Sequence, residues 1–239
     1  MHTLRMKRWI AVLVLLPAVA LAQQDSPPQD DLGTLLGIGV RSRPDYDGAS
    51  KQEVEPIPVI RYYGQTLFAR TTQGILEGGA RREFLPGFAA GVQLAYEDGN
   101  DRTDLDAGAS FGLHAELDTK IGPAPLNVLG RVRYHLDQDT GIHYDLRAGV
   151  GVYASTALKA WVFGQATWAT DDWIRAYYTA GDGGLMFTQF GVEGAYAISR
   201  HWVALASMSL RRLHGDAASS PITEETLNHY ASAGVAYRF

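Results

Sequence analysis

Past its first 22 residues the chain alternates between apolar and small or polar side chains, and this period of two constrains the fold more than any other feature of the sequence. Phe88, Ala90, Val92, Leu94 and Tyr96 share one face of an extended segment, with Ala89, Gly91, Gln93 and Ala95 on the other. Ala107, Ala109, Phe111, Leu113, Ala115 and Leu117 oppose Asp106, Gly108, Ser110, Gly112, His114, Glu116 and Asp118. Leu126, Val128, Val132 and Tyr134 oppose Asn127, Arg131, Arg133 and His135, and Tyr144, Leu146, Ala148, Val150 and Val152 oppose His143, Asp145, Arg147, Gly149 and Gly151. Phe190, Val192, Tyr196 and Ile198 face away from Gln189, Gly191 and Glu193, as Met208 and Leu210 do from Ser207, Ser209 and Arg211. The chain ends on Ala231, Ala233, Val235, Tyr237 and Phe239 against Tyr230, Ser232, Gly234, Ala236 and Arg238. A helix would mix these sets on every face. No stretch after residue 22 approaches 18 consecutive apolar residues, which excludes helical membrane spans.

Segments of about ten residues, apolar on one face and aromatic near their ends, read as strands of a transmembrane β-barrel. A soluble sandwich or lipocalin-like barrel also alternates. Strands of globular proteins average about five or six residues, however, and a soluble barrel keeps a charged, lysine-rich exterior. Only Lys51, Lys120 and Lys159 follow residue 22. The fold expected is all-β: a transmembrane antiparallel up-and-down β-barrel in the outer membrane of a Gram-negative bacterium.

The first 22 residues read as a cleaved signal peptide. Arg5, Lys7 and Arg8 form a basic start, 9–16 an apolar core, and Ala20-Leu21-Ala22 an A-x-A cleavage site. The uncharged stretch 9–22 is shorter than the roughly 20 residues needed to span a bilayer. Loss of the leader takes the formal charge from −5 to −8 and leaves all 26 glycines in the remaining chain. Segment 23–33 is expected to be an extended periplasmic lead-in rich in proline and acid, and 34–239 the barrel. With 21 basic against 26 acidic side chains, a broad phosphate-tracking surface is not expected, so nucleic acid is not a partner. The absence of cysteine excludes disulfides, thiolate metal sites and cysteine nucleophiles.

Twelve strands are expected, near 34–41, 57–63, 66–72, 75–83, 87–97, 105–118, 125–136, 142–154, 159–169, 187–198, 202–212 and 229–239. Short periplasmic connections at 64–65, 84–87, 119–124, 155–158 and 199–201 then alternate with longer outer loops at 42–56, 98–104, 137–141, 170–186 and 213–228. Pro56 and Pro58 do not fit a regular ladder interior, and 75–83 assigns itself to neither face clearly, so ten strands is the alternative.

Several motifs carry a resemblance. Gly37-Ile38-Gly39, the run from Pro44 through Tyr46 to Gly48, and Pro56-Ile57-Pro58 open the chain; Leu213-His214-Gly215-Asp216-Ala217, Ser220-Pro221-Ile222 and the terminal run to Phe239 close it. Together they resemble the MipA/OmpV family, the MltA-interacting proteins of Gram-negative outer membranes. The resemblance implies a non-enzymatic barrel, either a scaffold linking a murein-degrading lytic transglycosylase to a murein synthase or a barrel involved in adhesion or small-molecule permeability. One departure is Tyr177-Tyr178-Thr179-Ala180-Gly181, where the family more often continues through a short aromatic-glycine run; this loop is a candidate for a partner of its own.

By the parity of the strands, Asp106, His114, Glu116, Arg131, Arg133, His135, Asp145, Arg147, Glu193, Arg211 and Arg238 point into the lumen. Glu116 and Asp145 are each placed to reach Arg131 or Arg133. Such pairs satisfy buried charge in a narrow lumen; the sharper alternative is a selective constriction. In the outer loops, Asp45, Asp47, Glu97, Asp98, Asp101, Asp104, Asp137, Asp139, Asp171, Asp172, Asp182, Glu224 and Glu225 are expected to be solvated at a lipopolysaccharide surface. Asp98, Asn100, Asp101 and Asp104 offer oxygens for calcium, but their spacing departs from the helix-loop-helix pattern. His135 with Asp137 and Asp139, and His214 with Asp216 and Ser219 or Ser220, are the candidate catalytic groupings, and neither assembles a nucleophile beside a base. No cofactor and no metal site is expected. Two functions from different classes remain: a periplasmic scaffold, working through short turns and the lead-in, or a small channel or adhesion barrel, working through lumen and outer loops.

Overall fold

The computed structural model describes residues 32–72, 74–103, 105–136, 141–179 and 181–239. The leader and most of the expected lead-in fall outside them. Twelve strands are present: β1 (Leu35–Pro44), β2 (Gln52–Tyr63), β3 (Leu67–Thr72), β4 (Ile75–Leu85), β5 (Phe88–Glu97), β6 (Gly108–Ile121), β7 (Ala124–His135), β8 (Ile142–Ala154), β9 (Leu158–Ala169), β10 (Gly184–Ala197), β11 (Trp202–Leu213) and β12 (Leu227–Arg238). Two helices, α1 (Asp171–Tyr178) and α2 (Gly215–Ser219), lie in the last two outer connections. Each strand pairs antiparallel with its sequence neighbours, and β1 closes on β12 with Gly37 opposite Ala236. A Cβ on Gly37 would fall 2.1 Å from the Val235 carbonyl oxygen, so the seam closes this tightly only because that residue is glycine.

The apolar faces read from the period point outward, where Leu94, Phe111, Leu113, Leu146, Phe190, Val192 and Met208 are exposed, as a wall facing lipid requires. The uncertain segment 75–83 resolves in the same way, with Leu76 exposed outward and Glu77 buried in the lumen. Periplasmic turns are shorter than expected because the strands run longer; β6 and β7 are joined by Gly122 and Pro123 alone, with Gly122 at φ +58°. Such a left-handed angle is open to glycine at little cost.

The ten-strand alternative and the 42–56 loop are both corrected. β2 begins at Gln52, and Pro56 and Pro58 pair opposite Val40 and Ile38 of β1. The objection to proline in a ladder applies to strands bonded on both sides. β2 meets β3 only at Arg61, Tyr62 and Tyr63. On that flank the Thr71 hydroxyl donates to the Pro58 carbonyl at 2.8 Å and accepts from the Ile60 amide at 3.3 Å, so the ring nitrogens of Pro58 and, by alternation, Pro56 face the unladdered side.

Candidate functional site: a partitioned lumen

Inward parity on β3 to β8 brings opposite charges to one level of the lumen. Arg70 and Glu77 sit directly opposite each other on the β3–β4 hairpin, with Arg70 Nε donating to Glu77 at 2.8 Å. Arg70 also donates to Glu116, which Arg81 approaches at 3.3 Å. Arg131 reaches across to Glu77 and lies 3.3 Å from Asp145. Arg133 donates to Glu97 and to Asp145, the latter at 2.8 Å. Four arginines thus face four carboxylates. Asp145 is completed by the Thr167 hydroxyl at 2.7 Å, and Ser110 donates to Glu97 at 2.7 Å. Removing so many charges from water is tolerable because each side chain has an opposite charge within contact distance.

This layer lies between two cavities, whose walls share Thr72. Arg70 contributes to the wall of a cavity of about 300 Å³ on the periplasmic side, together with Tyr63, Leu129, Arg147, Trp161 and Glu193. Arg131 and Arg133 line a separate cavity of about 90 Å³ on the extracellular side.

Over the upper cavity lies α1. Thr170 precedes it, Asp171 and Asp172 occupy its first turn and Arg175 its last, an arrangement that complements the helix dipole. Its apolar residues Trp173, Ile174, Tyr177 and Tyr178 recur at helical spacing and are all buried, packed with Tyr46, Leu105, Met186, Phe187, Leu213 and Ala217 into a core that fills the barrel mouth. Burial, reinforced by the nearby Asp47 charge, pushes the Tyr177 and Tyr178 hydroxyls above the ordinary tyrosine range, so both stay neutral in the plug. The partner of the Tyr177-Tyr178 departure is the barrel's own mouth.

The opening and closing motifs meet here. The Tyr46 hydroxyl donates to the Ile222 carbonyl at 2.7 Å, and the Gly48 amide, at φ +105°, donates to Asn228 at 2.8 Å. Pro44 is buried at the end of β1. Gly215 has φ +52°; Asp216 accepts from the Asp182 amide at 2.6 Å, a tie between two loops. Ser220 donates to the Tyr178 carbonyl at 2.6 Å, anchoring α1 directly. Pro221 is exposed beside it, and Phe239 stands exposed at the other end of the barrel against the edge of Tyr237. Glu224 is held below the ordinary carboxylate range by hydrogen bonds from Ser50, with Arg102 adding to them.

Of the eleven lumen residues read from parity, Glu116, Arg131, Arg133 and Asp145 enter the charged layer. Glu116 pairs with Arg70 and Arg81 instead of the expected Arg131 or Arg133, because Arg131 is taken by Glu77. His114 is buried against the edge of Phe68. Arg147 pairs with Glu193 at 2.8 Å in the lower cavity. Arg211 binds Asp47 near the mouth and stacks over Phe187 and Tyr230. Arg238 lies at the periplasmic end near Leu32 and Lys159, apart from the layer. Asp106 is a correction: β6 begins at Gly108, so Asp106 belongs to the preceding loop and is exposed.

Three expected loop acids are also corrected, for they are engaged inside: Glu97 with Arg133, Asp98 with Arg41 at 2.9 Å, and Asp47 with Arg211 and Tyr230. Asp98 is thereby turned away from any shared calcium site, and Asn100 is fully buried with its amide donating to the Tyr177 carbonyl; Asp104 lies outside the described residues. Asp137 and Asp139 also lie outside them, whereas His135 faces His143. His214 bonds Thr188 at 2.8 Å while Ser219 and Ser220 serve backbone carbonyls, so that grouping aligns no nucleophile with a base.

One group with metal-ligating chemistry does converge. Glu97, His135 and His143, at the upper ends of β5, β7 and β8, are all buried and bring one donor atom each within 4.8 Å of one another. Trp173 stacks on His135 with ring centroids 4.0 Å apart and meets the edge of His143 at 4.1 Å.

Among solved structures, an outer-membrane channel from Pseudomonas putida F1 is similar at TM-score 0.51 and 12% identity, covering 92% of this chain and 99% of that one. A bacterial polysaccharide outer membrane secretin (TM-score 0.46, 11% identity, 87% of this chain and 99% of that one) and the NanC porin (0.43, 8%, 85% and 100%) are also similar. No curated protein matches the chain. The family described as MltA-interacting protein MipA matches residues 36–239, from the second residue of β1 to the last of the chain. The closed twelve-stranded barrel, with its opening and closing motifs joined at the mouth, is an outer-membrane β-barrel that belongs to the MipA family.

Proposed function

We propose that this barrel is a closed scaffold that presents its periplasmic face to murein-remodelling enzymes, a lytic transglycosylase and a murein synthase, and carries out no chemistry itself. The observation that supports this reading best is the filled bore. A through-channel needs a continuous open path, and here a buried layer of paired charges lies between the two cavities, with an aromatic helix seated over the upper one. What is left for partners is the periplasmic side, where Phe84, Leu85 and Ile121 expose apolar surface near the turns.

Two measurements test the reading. In planar bilayers the wild-type barrel should show no conductance steps; steps in the wild type would overturn the scaffold in favour of the channel. Detergent-solubilised barrel should capture a periplasmic lytic transglycosylase, and replacement of 119–124 should weaken the capture. Absence of capture, or capture untouched by changes in every periplasmic turn, would remove the proposal's basis.

A further inference from the structure

We propose that Glu97, His135 and His143 form a binding site for a late first-row divalent cation, of which Zn²⁺ is the natural representative, beneath the α1 plug. Two imidazoles and one carboxylate are the donor set that suits such ions, whereas the all-oxygen sets of Ca²⁺ and Mg²⁺ are not matched.

The geometry is specific. His135 Nε2 and His143 Nδ1 lie 3.4 Å apart with their rings nearly perpendicular, at 83°. That is long for a hydrogen bond between ring nitrogens. It does match two nitrogens each about 2.0–2.1 Å from a tetrahedral ion, which are necessarily about 3.3 Å apart. The other nitrogen of His143, Nε2, is buried with no hydrogen-bond partner among the described residues. With Nδ1 on an ion, that nitrogen carries the ring proton.

Electrostatics permit the ion despite the neighbouring arginines. Arg131 is held by Glu77 and Asp145 and Arg133 by Glu97 and Asp145, and with Arg70 and Arg81 the layer balances four arginines against four carboxylates, so the arginine charges beside the site are already compensated. Glu97 accepts from Arg133 and Ser110 through the same oxygen, Oε1, which leaves Oε2 to ligate. Glu97 and His143 also line the 90 Å³ cavity, where a water can complete four-coordination.

The ligands come from β5, β7 and β8, and the two histidines carry Trp173 on their rings. A bound ion therefore ties three strand ends together under α1 and stiffens the seat of the plug. Nothing in the scaffold reading requires this site, and the site would stand in a channel as well.

The test uses untagged, refolded full-length barrel, stripped with chelator and dialysed against Zn²⁺ or Co²⁺. One ion per barrel is expected by elemental analysis. Co²⁺ should give visible ligand-field bands and quench tryptophan emission, and the quenching should disappear in Trp173→Phe. His143→Ala and Glu97→Gln should lose the ion, while His201→Ala, at the periplasmic rim, should retain it; heat-modifiable gel mobility confirms that each variant is folded. If His143→Ala does not fold, His135→Gln replaces it in the same assay. No stoichiometric ion in the wild type, equal binding by the ligand variants, or Co²⁺ uptake without quenching of Trp173 would each overturn the proposal.

Discussion

The extracellular half of the lumen holds an aromatic helix, two tied loops and a layer of paired charges, whereas the periplasmic half holds a cavity of about 300 Å³ and turns of a few residues. The same twelve strands form both. The difference lies in which inward positions carry long charged side chains and in the length of the connections. At the upper level arginines and carboxylates from six successive strands reach one another across the bore. Below it the inward positions include Gly149, Ala195, Ser207 and Gly234, too small to meet in the middle. A barrel can thus be sealed toward the outside and receptive toward the periplasm without any change in its wall.

Substitutions can break or sharpen this contrast. The largest effect is expected for Asp145→Ala, which removes the carboxylate shared by Arg131 and Arg133 and leaves the buried layer one negative charge short. Breaking a buried pair in this way costs about 3–5 kcal/mol, read as a lower midpoint in urea-driven unfolding from detergent or lipid. Val192→Arg tests the wall shared by both halves. A charge placed on the lipid face near mid-strand should cost about 2–4 kcal/mol in the same titration, and a neutral result would mean that this face does not meet lipid. On the periplasmic rim, Gly122→Ala forces a side chain into a left-handed angle and should cost about 1–2 kcal/mol. The smallest effect is expected for Arg147→Ala in the lower cavity. It removes the pair with Glu193, whose side chain is 40% exposed, and a stacking contact with Phe163. A half-solvated pair of this kind contributes about 1 kcal/mol or less. If Arg147→Ala cost as much as Asp145→Ala, the two halves would not differ in the way described.

Much of this was legible in the sequence because a barrel strand writes its geometry in a period of two. Parity alone placed Arg131, Arg133 and Asp145 correctly and paired Asp145 with both arginines. It also contained Glu97, which continues the series Ala89, Gly91, Gln93 and Ala95 inside the expected strand 87–97, and was missed because it was grouped with the acids of the loop that follows. Arg70 and Glu77 flank a tight turn and are equidistant from it, a symmetry that puts them opposite each other on one face. Helix α1 had a signal too, with Thr170 before Asp171 and Asp172 and apolar residues spaced for one helical face. The approach of Glu97 to His135 and His143 had none. β6 stands between β5 and β7, so the cluster depends on lumen curvature and on the seat of Trp173, neither of which any local pattern encodes. Pro56 and Pro58 misled for a related reason, since the rule against them assumes a neighbour on both flanks.

Those two prolines have a further effect. A strand edge left unpaired is an invitation to any other strand, from a second barrel or from a chain still folding, and acceptance begins with amide donors. Along the open flank of β2 the alternate positions from 56 to 60 are Pro56, Pro58 and Ile60; the first two have no amide hydrogen, and the third is occupied by Thr71. Between positions 56 and 60 the incompletely zipped seam therefore offers an incoming strand no free amide donor.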